Sequence, residues 1–249
     1  MTAAVPTVDL LPVPERVLAI GAHPDDIEFG CGATLAKWSA AGSELWLVVL
    51  TDGSKGSWDP NTDPAELANL RVNEQVAAAR VLGAAQVLHA GFVDGELSNG
   101  RGEREDVVGV IRRARPTVIL THDPWKRYQL HPDHRAAGFL VLDAIVAARD
   151  PHFFPHDELD PHRPRDVLLF EADEIDHYEA VDNTVAKKID ALLAHRSQWR
   201  STMGIDGDSP DTDAQRAAFT ARIDGEVRDW GMELAGGGAY EAFKRLTEL

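Results

Sequence analysis

The sequence predicts an α/β fold with a mostly parallel central sheet, on three observations. Apolar runs of strand length alternate four times with stretches of helical spacing. The run from Glu44 to Thr51 (ELWLVVLT) is almost continuously apolar, as expected of a strand covered on both faces. Two His-Pro-Asp turns, at 23–25 and 131–133, each come after such a run and open a helix.

The elements follow in order. Residues 1–15 carry three prolines and read as an arm over the surface. Arg16 to Gly21 (RVLAIG) is a buried strand, and 29–40 is a helix-compatible stretch of small residues. After ELWLVVLT, the segment 52–64 is polar and rich in turn residues, a loop bearing Trp58. From Ala65 to Leu82, residues Leu67, Leu70, Val76 and Ala79 keep helical spacing, and Gly83 stops the helix. Then come a strand over 86–91, a helix over 104–115 ended by Pro116, a strand over 117–121, a loop over 122–130 and a helix from His131 to about Ala147. Such alternation implies βαβ units with right-handed crossovers.

The second half is less regular. Residues 150–165 hold four prolines and three histidines and predict a long loop. Strands are expected over 167–170 and 178–182. A helix over 184–199 can be capped after Asp182-Asn183. Residues 201–213 read as mobile, 214–228 as a helix, and 240–249 as a terminal helix after Gly236-Gly237-Gly238. No linker is evident, so 1–249 is read as one domain: the arm, a parallel core over 16–150 with the site, and a less regular 151–249.

Composition narrows the function. A formal net charge of -16 argues against nucleic acid or an anionic membrane, because the phosphate term would be repulsive. A single cysteine, Cys31, rules out an internal disulfide framework and a Cys-rich zinc knuckle, and it is expected to fill core. No leader pattern or membrane-length apolar run is seen, so the expected location is the cytoplasm. Self-association is left open.

The chemistry lies in the two turns. His23, Asp25, Asp26 and Glu28 fall within six positions; His131, Asp133 and His134 fall within four. Imidazole and carboxylate together suit zinc or iron(II), and a catalytic site offers three ligands plus water. His23 and Asp26 can share one ion, with a histidine of the second cluster completing the set. Asp25 can then take a proton, the remaining histidine can face substrate, Glu28 can hold a ligating group, and Asp133 can orient a histidine. An Asp before a helix is also a common N-cap, so either cluster alone fits a capped helix.

The runs AHPDDIEFGCGATLA (22–36), LVVLTDG (47–53), RVNEQVAAARVLG (71–83), HPDHRAAG (131–138) and KKIDALLAHRSQ (187–198) resemble the PIG-L/LmbE-like family of zinc-dependent N-deacetylases. The resemblance spans about 16 to 200. It implies a Rossmann-like three-layer sandwich, a zinc ion (iron(II) as alternative) and hydrolysis of an N-acetyl group on a small-molecule amino sugar. It makes His23, Asp26 and His134 the metal ligands, Asp25 the general base, His131 the oxyanion group and Arg71 a substrate contact. Thr51-Asp52-Gly53-Ser54 departs from the Thr-x-Gly-Glu of many members, which separates this chain from the mycothiol-type pattern. Trp125, Arg127 and Tyr128 are expected at the pocket mouth.

Other features carry less. Gly30 and Gly32 lie too far past the strand, and lack the third glycine, for a dinucleotide turn. His89, His122, His152, His156, His162 and His177 are read as loop or surface residues, and His195 as core or pocket. The carboxylates over 157–179 are read as a solvated face. The competing readings are an amidase of a larger conjugate, such as a thiol adduct or glycosylated natural product, and a metal-binding member without catalysis.

Overall fold

The computed structural model describes residues 10–155, 159–234 and 237–249. Five strands run parallel: β1 (Arg16–Gly21), β2 (Glu44–Thr51), β3 (Gln86–Phe92), β4 (Val118–His122) and β5 (Asp166–Phe170). β7 (Tyr240–Thr247) pairs antiparallel with both β5 and β6 (His177–Ala180). The sheet order is β3-β2-β1-β4-β5-β7-β6.

Helices cover both faces, which gives a Rossmann-like three-layer sandwich. Alternate residues of each strand divide between the layers. Val17, Ala19, Leu47 and Leu120 pack with α1 (Asp26–Ala40), α2 (Pro64–Leu82) and α5 (Val185–Leu193). Leu18, Ile20, Val48 and Ile119 pack with α3 (Arg101–Ala114) and α4 (Pro132–Ala148). This two-sided burial explains the unbroken apolar runs. α6 (Thr212–Glu233) adds a third cluster, in which Phe219, Ile223 and Val227 meet Val185, Ile189 and Leu192 of α5. Among the described residues, no helix is long and apolar enough to cross a membrane.

The expected terminal helix over 240–249 is instead β7. Its buried positions alternate at Glu241 and Phe243, and the charge at one of them hides the two-residue period. Glu241 is there for α1. That helix is non-helical at Cys31 (φ -151°), so Ala33 and Thr34 lose their helical acceptors. Both donate to Glu241 instead, at 3.1 and 2.7 Å, and Lys188 Nζ joins Glu241 Oε1 (2.7 Å) to the Phe29 carbonyl (2.6 Å). Lys188 and Glu241 are both buried, so removing one partner strands the other. Glu241→Ala is expected to destabilise the fold by about 3 kcal/mol, read as a lower denaturant midpoint at unchanged m-value.

The glycines of α1 have a packing role. A Cβ on Gly30 would stand 2.4 Å from the Phe170 ring. The helix expected over 184–199 breaks after Leu193, where short turns over 196–198 and 199–203 turn His195 and Met203 inward. Of the segment read as mobile, Met203 and Ile205 are buried. The arm is pinned where it is described: Leu11 is buried, and its N–H donates to Glu179 Oε1 at 3.1 Å. Its first nine residues and His156 lie outside the described residues.

Candidate active site

The sheet order reverses direction of growth between β1 and β4, which lie side by side in parallel register. Loops leaving the carboxyl ends of such neighbours part and open a crevice. The 22–25 turn leaves β1, Asp94 follows β3, His122 ends β4 and Glu171 follows β5. His131, Asp133 and His134 reach the same crevice from the start of α4. His23, Asp25, Asp26, Asp94, His131, His134 and Glu171 line a cavity of about 570 Å³ together with Arg71, Lys55, Gln198 and Arg222, while His122 and Asp133 are buried.

The first turn does not behave as an ordinary helix cap. Asp25 occupies the N-cap position, yet its carboxylate makes no cap hydrogen bond. Its backbone is left-handed at φ 103°, sterically costly for a residue with a Cβ. Its side chain faces the cavity, 3.6 Å from Arg71 Nη2. Burial pushes the Asp25 carboxyl up to about 6, against the pull of Arg71 and His195. Arg71 lines the cavity, but its terminal nitrogens also donate to the Gly53 and Pro24 carbonyls, so it braces the turn as well as facing substrate space.

Asp26 sits between the two clusters. Its Oδ2 is 3.3 Å from His23 Nδ1, and its Oδ1 is 3.4 Å from His134 Nε2. His23 Nε2 is held on the opposite side by Asp94 (3.2 Å) and Asp133 (3.2 Å), so its Nδ1 faces Asp26. Burial opposes charge on this ring, but Asp133, Asp26 and Asp94 outweigh it and push His23 up to about 12. Burial likewise opposes charge on His134, which Asp26 and Glu171 push up to about 10. So many carboxylates around two imidazoles create a negative potential that favours positive charge at this point. Ligand atoms of His23, His131 and His134 lie within 4.8 Å of one another, as do those of Asp26, His122 and His134.

Asp133 is fully buried and orients His23, with Gly95 N–H (2.7 Å) and Leu97 N–H (3.3 Å) donating to its two oxygens. The Asp133 N–H donates to His131 Nδ1 at 3.3 Å, which puts the ring hydrogen on Nε2. Burial, His23 and His134 lower the His131 pKa, which favours the neutral ring with its hydrogen on Nε2.

Some sequence expectations move. Glu28 touches no ligating histidine. It accepts from Gln75 Nε2 at 2.7 Å and lies 3.6 Å from His195 Nε2. Trp125, Arg127 and Tyr128 do not line the cavity: Trp125 packs edge-on against Phe139, Arg127 pairs with Asp173 at 2.6 Å, and Tyr128 is 91 % exposed. The segment 123–130 follows β4 at the site's edge, but its aromatic side chains turn outward.

His122, read as a loop residue, is buried, 3.2 Å from Asp26 Oδ2 and stacked on His134 with ring centroids 4.2 Å apart. Its place at the end of a strand was the available signal. Glu171 and Asp94 were also missed. Glu171 is exposed on one side but lies 3.4 Å from His122 and 3.6 Å from His134, and against the cost of partial desolvation the two rings hold its carboxyl down at about 2. Nor are the acids over 157–179 all solvated: Asp166 and Glu179 are buried, the latter 2.8 Å from buried His177.

Comparison with known proteins agrees with this architecture. Residues 18–145 match the PIG-L family, described as GlcNAc-PI de-N-acetylase. The chain is 36% identical over 188 residues to the diacetylchitobiose deacetylase of Thermococcus kodakarensis, covering 74% of this chain and 70% of that one. It is 32% identical over 166 residues to the 1D-myo-inositol 2-acetamido-2-deoxy-alpha-D-glucopyranoside deacetylase of Streptomyces avermitilis, covering 56% of each chain. The N,N'-diacetylchitobiose deacetylase of Pyrococcus horikoshii superposes with a TM-score of 0.82 at 28% identity, over 94% of this chain and 84% of that one. With more than half its length inside the family's match, and its two His-Pro-Asp turns meeting where β1 and β4 part, this chain belongs to the PIG-L family.

Proposed function

We propose that this protein is a metal-dependent N-deacetylase. It hydrolyses the N-acetyl group of an amino sugar or a GlcNAc-containing conjugate and releases acetate and a free amine. The observation that carries the reading is the Asp25 carboxylate, withheld from the helix end beside a two-histidine, one-carboxylate set. A metal-binding protein without catalysis has no need of a strained, uncapped Asp25. The relatives support the substrate class, since each is named for an acetamido sugar.

His23 Nδ1, Asp26 and His134 Nε2 would hold the metal, and this donor set suits zinc or iron(II). A divalent ion so held polarises the acyl oxygen and brings water's pKa to about 7. Asp25 accepts the proton of the attacking water and returns it to the departing amine nitrogen. His131 Nε2–H donates to the oxygen that gains charge, an interaction typically worth ~3 kcal/mol. Asp133 and Asp94 keep His23 turned, and Arg71 keeps the 22–25 turn closed.

A larger conjugate is favoured by a second groove of about 530 Å³, whose walls alternate with those of the cavity: Ser57 beside Gly56, Ser197 beside Gln198, and Ser201 beside Thr202. On its rim Trp58 is 80 % exposed, a flat apolar platform among polar side chains. A sugar or aglycone beyond the reacting unit stacks there. Trp58→Ala is expected to lower kcat/KM on N,N'-diacetylchitobiose by about 3–10-fold, as for one lost stacking contact, and to leave N-acetylglucosamine unaffected. Acetate release from N-acetylglucosamine, diacetylchitobiose and glucosaminyl-inositol in its N-acetyl form, with and without chelator, tests the reading. Silence on all three with metal bound refutes it. The net charge of -16 supports a small-molecule substrate over a nucleic-acid or anionic-membrane partner, and the enzyme's expected place is the cytoplasm.

A further inference from the structure

The conformation of Asp25 needs a cause, because nothing in its own sequence favours φ 103°. Aspartate visits the left-handed region more readily than most residues, but an N-cap carboxylate is ordinarily drawn down onto the helix amides. Here the restraint comes from α2. The Asp25 N–H donates to Gln75 Oε1 at 3.2 Å. Gln75 is fully buried, and its Nε2 donates to Glu28 Oε1 at 2.7 Å. The Asp25 N–H can only donate, so the amide faces one way, oxygen to Asp25 and nitrogen to Glu28. Glu28 in turn faces His195, also fully buried, at 3.6 Å. Neither ring nitrogen of His195 has a hydrogen-bond partner, nor has Glu28 Oε2. The mechanism uses none of these three residues.

We infer that Gln75 is a positioning residue for hydrolysis: its amide oxygen, fixed by Glu28 and backed by His195, holds the left-handed turn that aims the Asp25 carboxylate into the cavity. Without that acceptor, the buried Asp25 N–H has no partner and the turn relaxes toward an ordinary cap. The inference rests on the deacetylase reading for its kinetics, but not for its geometry.

Gln75→Met keeps the length and bulk of the side chain and removes both hydrogen bonds. Its expected effect is a drop in kcat of about 10–100-fold, the scale of a misplaced catalytic group, with KM within about threefold of wild type and unchanged metal per chain. On an Asp25→Asn background the same substitution is expected to cause no further loss, because Gln75 acts through Asp25. The reciprocal exchange Gln75→Glu with Glu28→Gln keeps an acceptor for Asp25 and a donor between the helices, and is expected to recover most of kcat. Should Gln75→Met not fold, Glu28→Gln alone frees the amide to flip and carries the test, with an expected loss of about 3–10-fold at unchanged metal content.

A wild-type kcat in Gln75→Met, or an equal loss on the Asp25→Asn background, overturns the inference. A crystal structure of Gln75→Met separates the two levels of the argument. Asp25 is expected to leave the left-handed region there, whatever the enzyme's substrate. Retention of φ near 103° sinks the positioning role even if deacetylation is established.

Discussion

Asp25→Asn is expected to keep its metal and lose about 10²–10⁴-fold in kcat, the range for removing a general base. The substitution is nearly isosteric. Asparagine is one of the few residues that share aspartate's tolerance of the left-handed region, so the turn at φ 103° survives. The carboxylate's pairing with Arg71 is weakened, but Arg71 keeps the Gly53 and Pro24 carbonyls. What disappears is the capacity to accept a proton. The pH profile supplies the second check. Burial raises Asp25 to about 6, so the base is charged above that pH and neutral below it. Wild-type kcat/KM therefore falls about tenfold per pH unit on the acid side and is level above. A cation beside Asp26 favours the anion and moves this limb below 6. The residual activity of Asp25→Asn lacks the limb. Acetate release against pH, with elemental analysis of the same samples, decides it; near-wild-type turnover in the variant means that another group is the base.

The parts of this fold that follow from local repetition were legible. Strands buried on both faces read as apolar runs, and the helices between them kept their spacing, because in β1, β2, β4 and β5 each residue's environment repeats along the element. The two His-Pro-Asp turns stood out for the same reason. β7 did not, because its Glu241 is buried for the sake of a kink in α1 more than two hundred residues earlier, and no local pattern encodes that need.

The site divides in the same way. Residues in the motifs, His23, Asp25, Asp26, His131 and His134, share one cavity. Asp94 after β3, His122 at the end of β4 and Glu171 after β5 stand singly, and each looks like loop or strand end until the parallel strands bring those ends to one edge of the sheet. The outward turn of Trp125 and Tyr128 was not legible either. A pocket mouth attracts aromatic residues, but Trp125 finds Phe139 on the outer face of α4 with ring centroids 5.6 Å apart.

His134→Ala should empty the metal site. The ring bridges two acids, with Nε2 3.4 Å from Asp26 Oδ1 and Nδ1 3.6 Å from Glu171 Oε2. Replacing it by a methyl group removes one of the three proposed ligands and leaves His23 and Asp26 alone. Losing a partner outside the ligand set typically weakens metal binding about 10–100-fold. Losing a ligand itself should exceed that, and the purified variant is expected to carry well under one metal per chain and no measurable turnover. The fold should persist, because His134 sits at the cavity wall and α4 is held by Leu140, Val141 and Ile145 in the core. Thermal unfolding supplies a readout independent of catalysis. A ligand that binds only the folded chain raises its stability in proportion to the logarithm of ligand excess. Chelator should therefore lower the Tm of wild type and leave that of His134→Ala unchanged. An undiminished metal content in the variant, or a Tm that still responds to chelator as wild type does, would remove His134 from the ligand set and pass its place to His122 or His131, whose ring nitrogens already lie within reach.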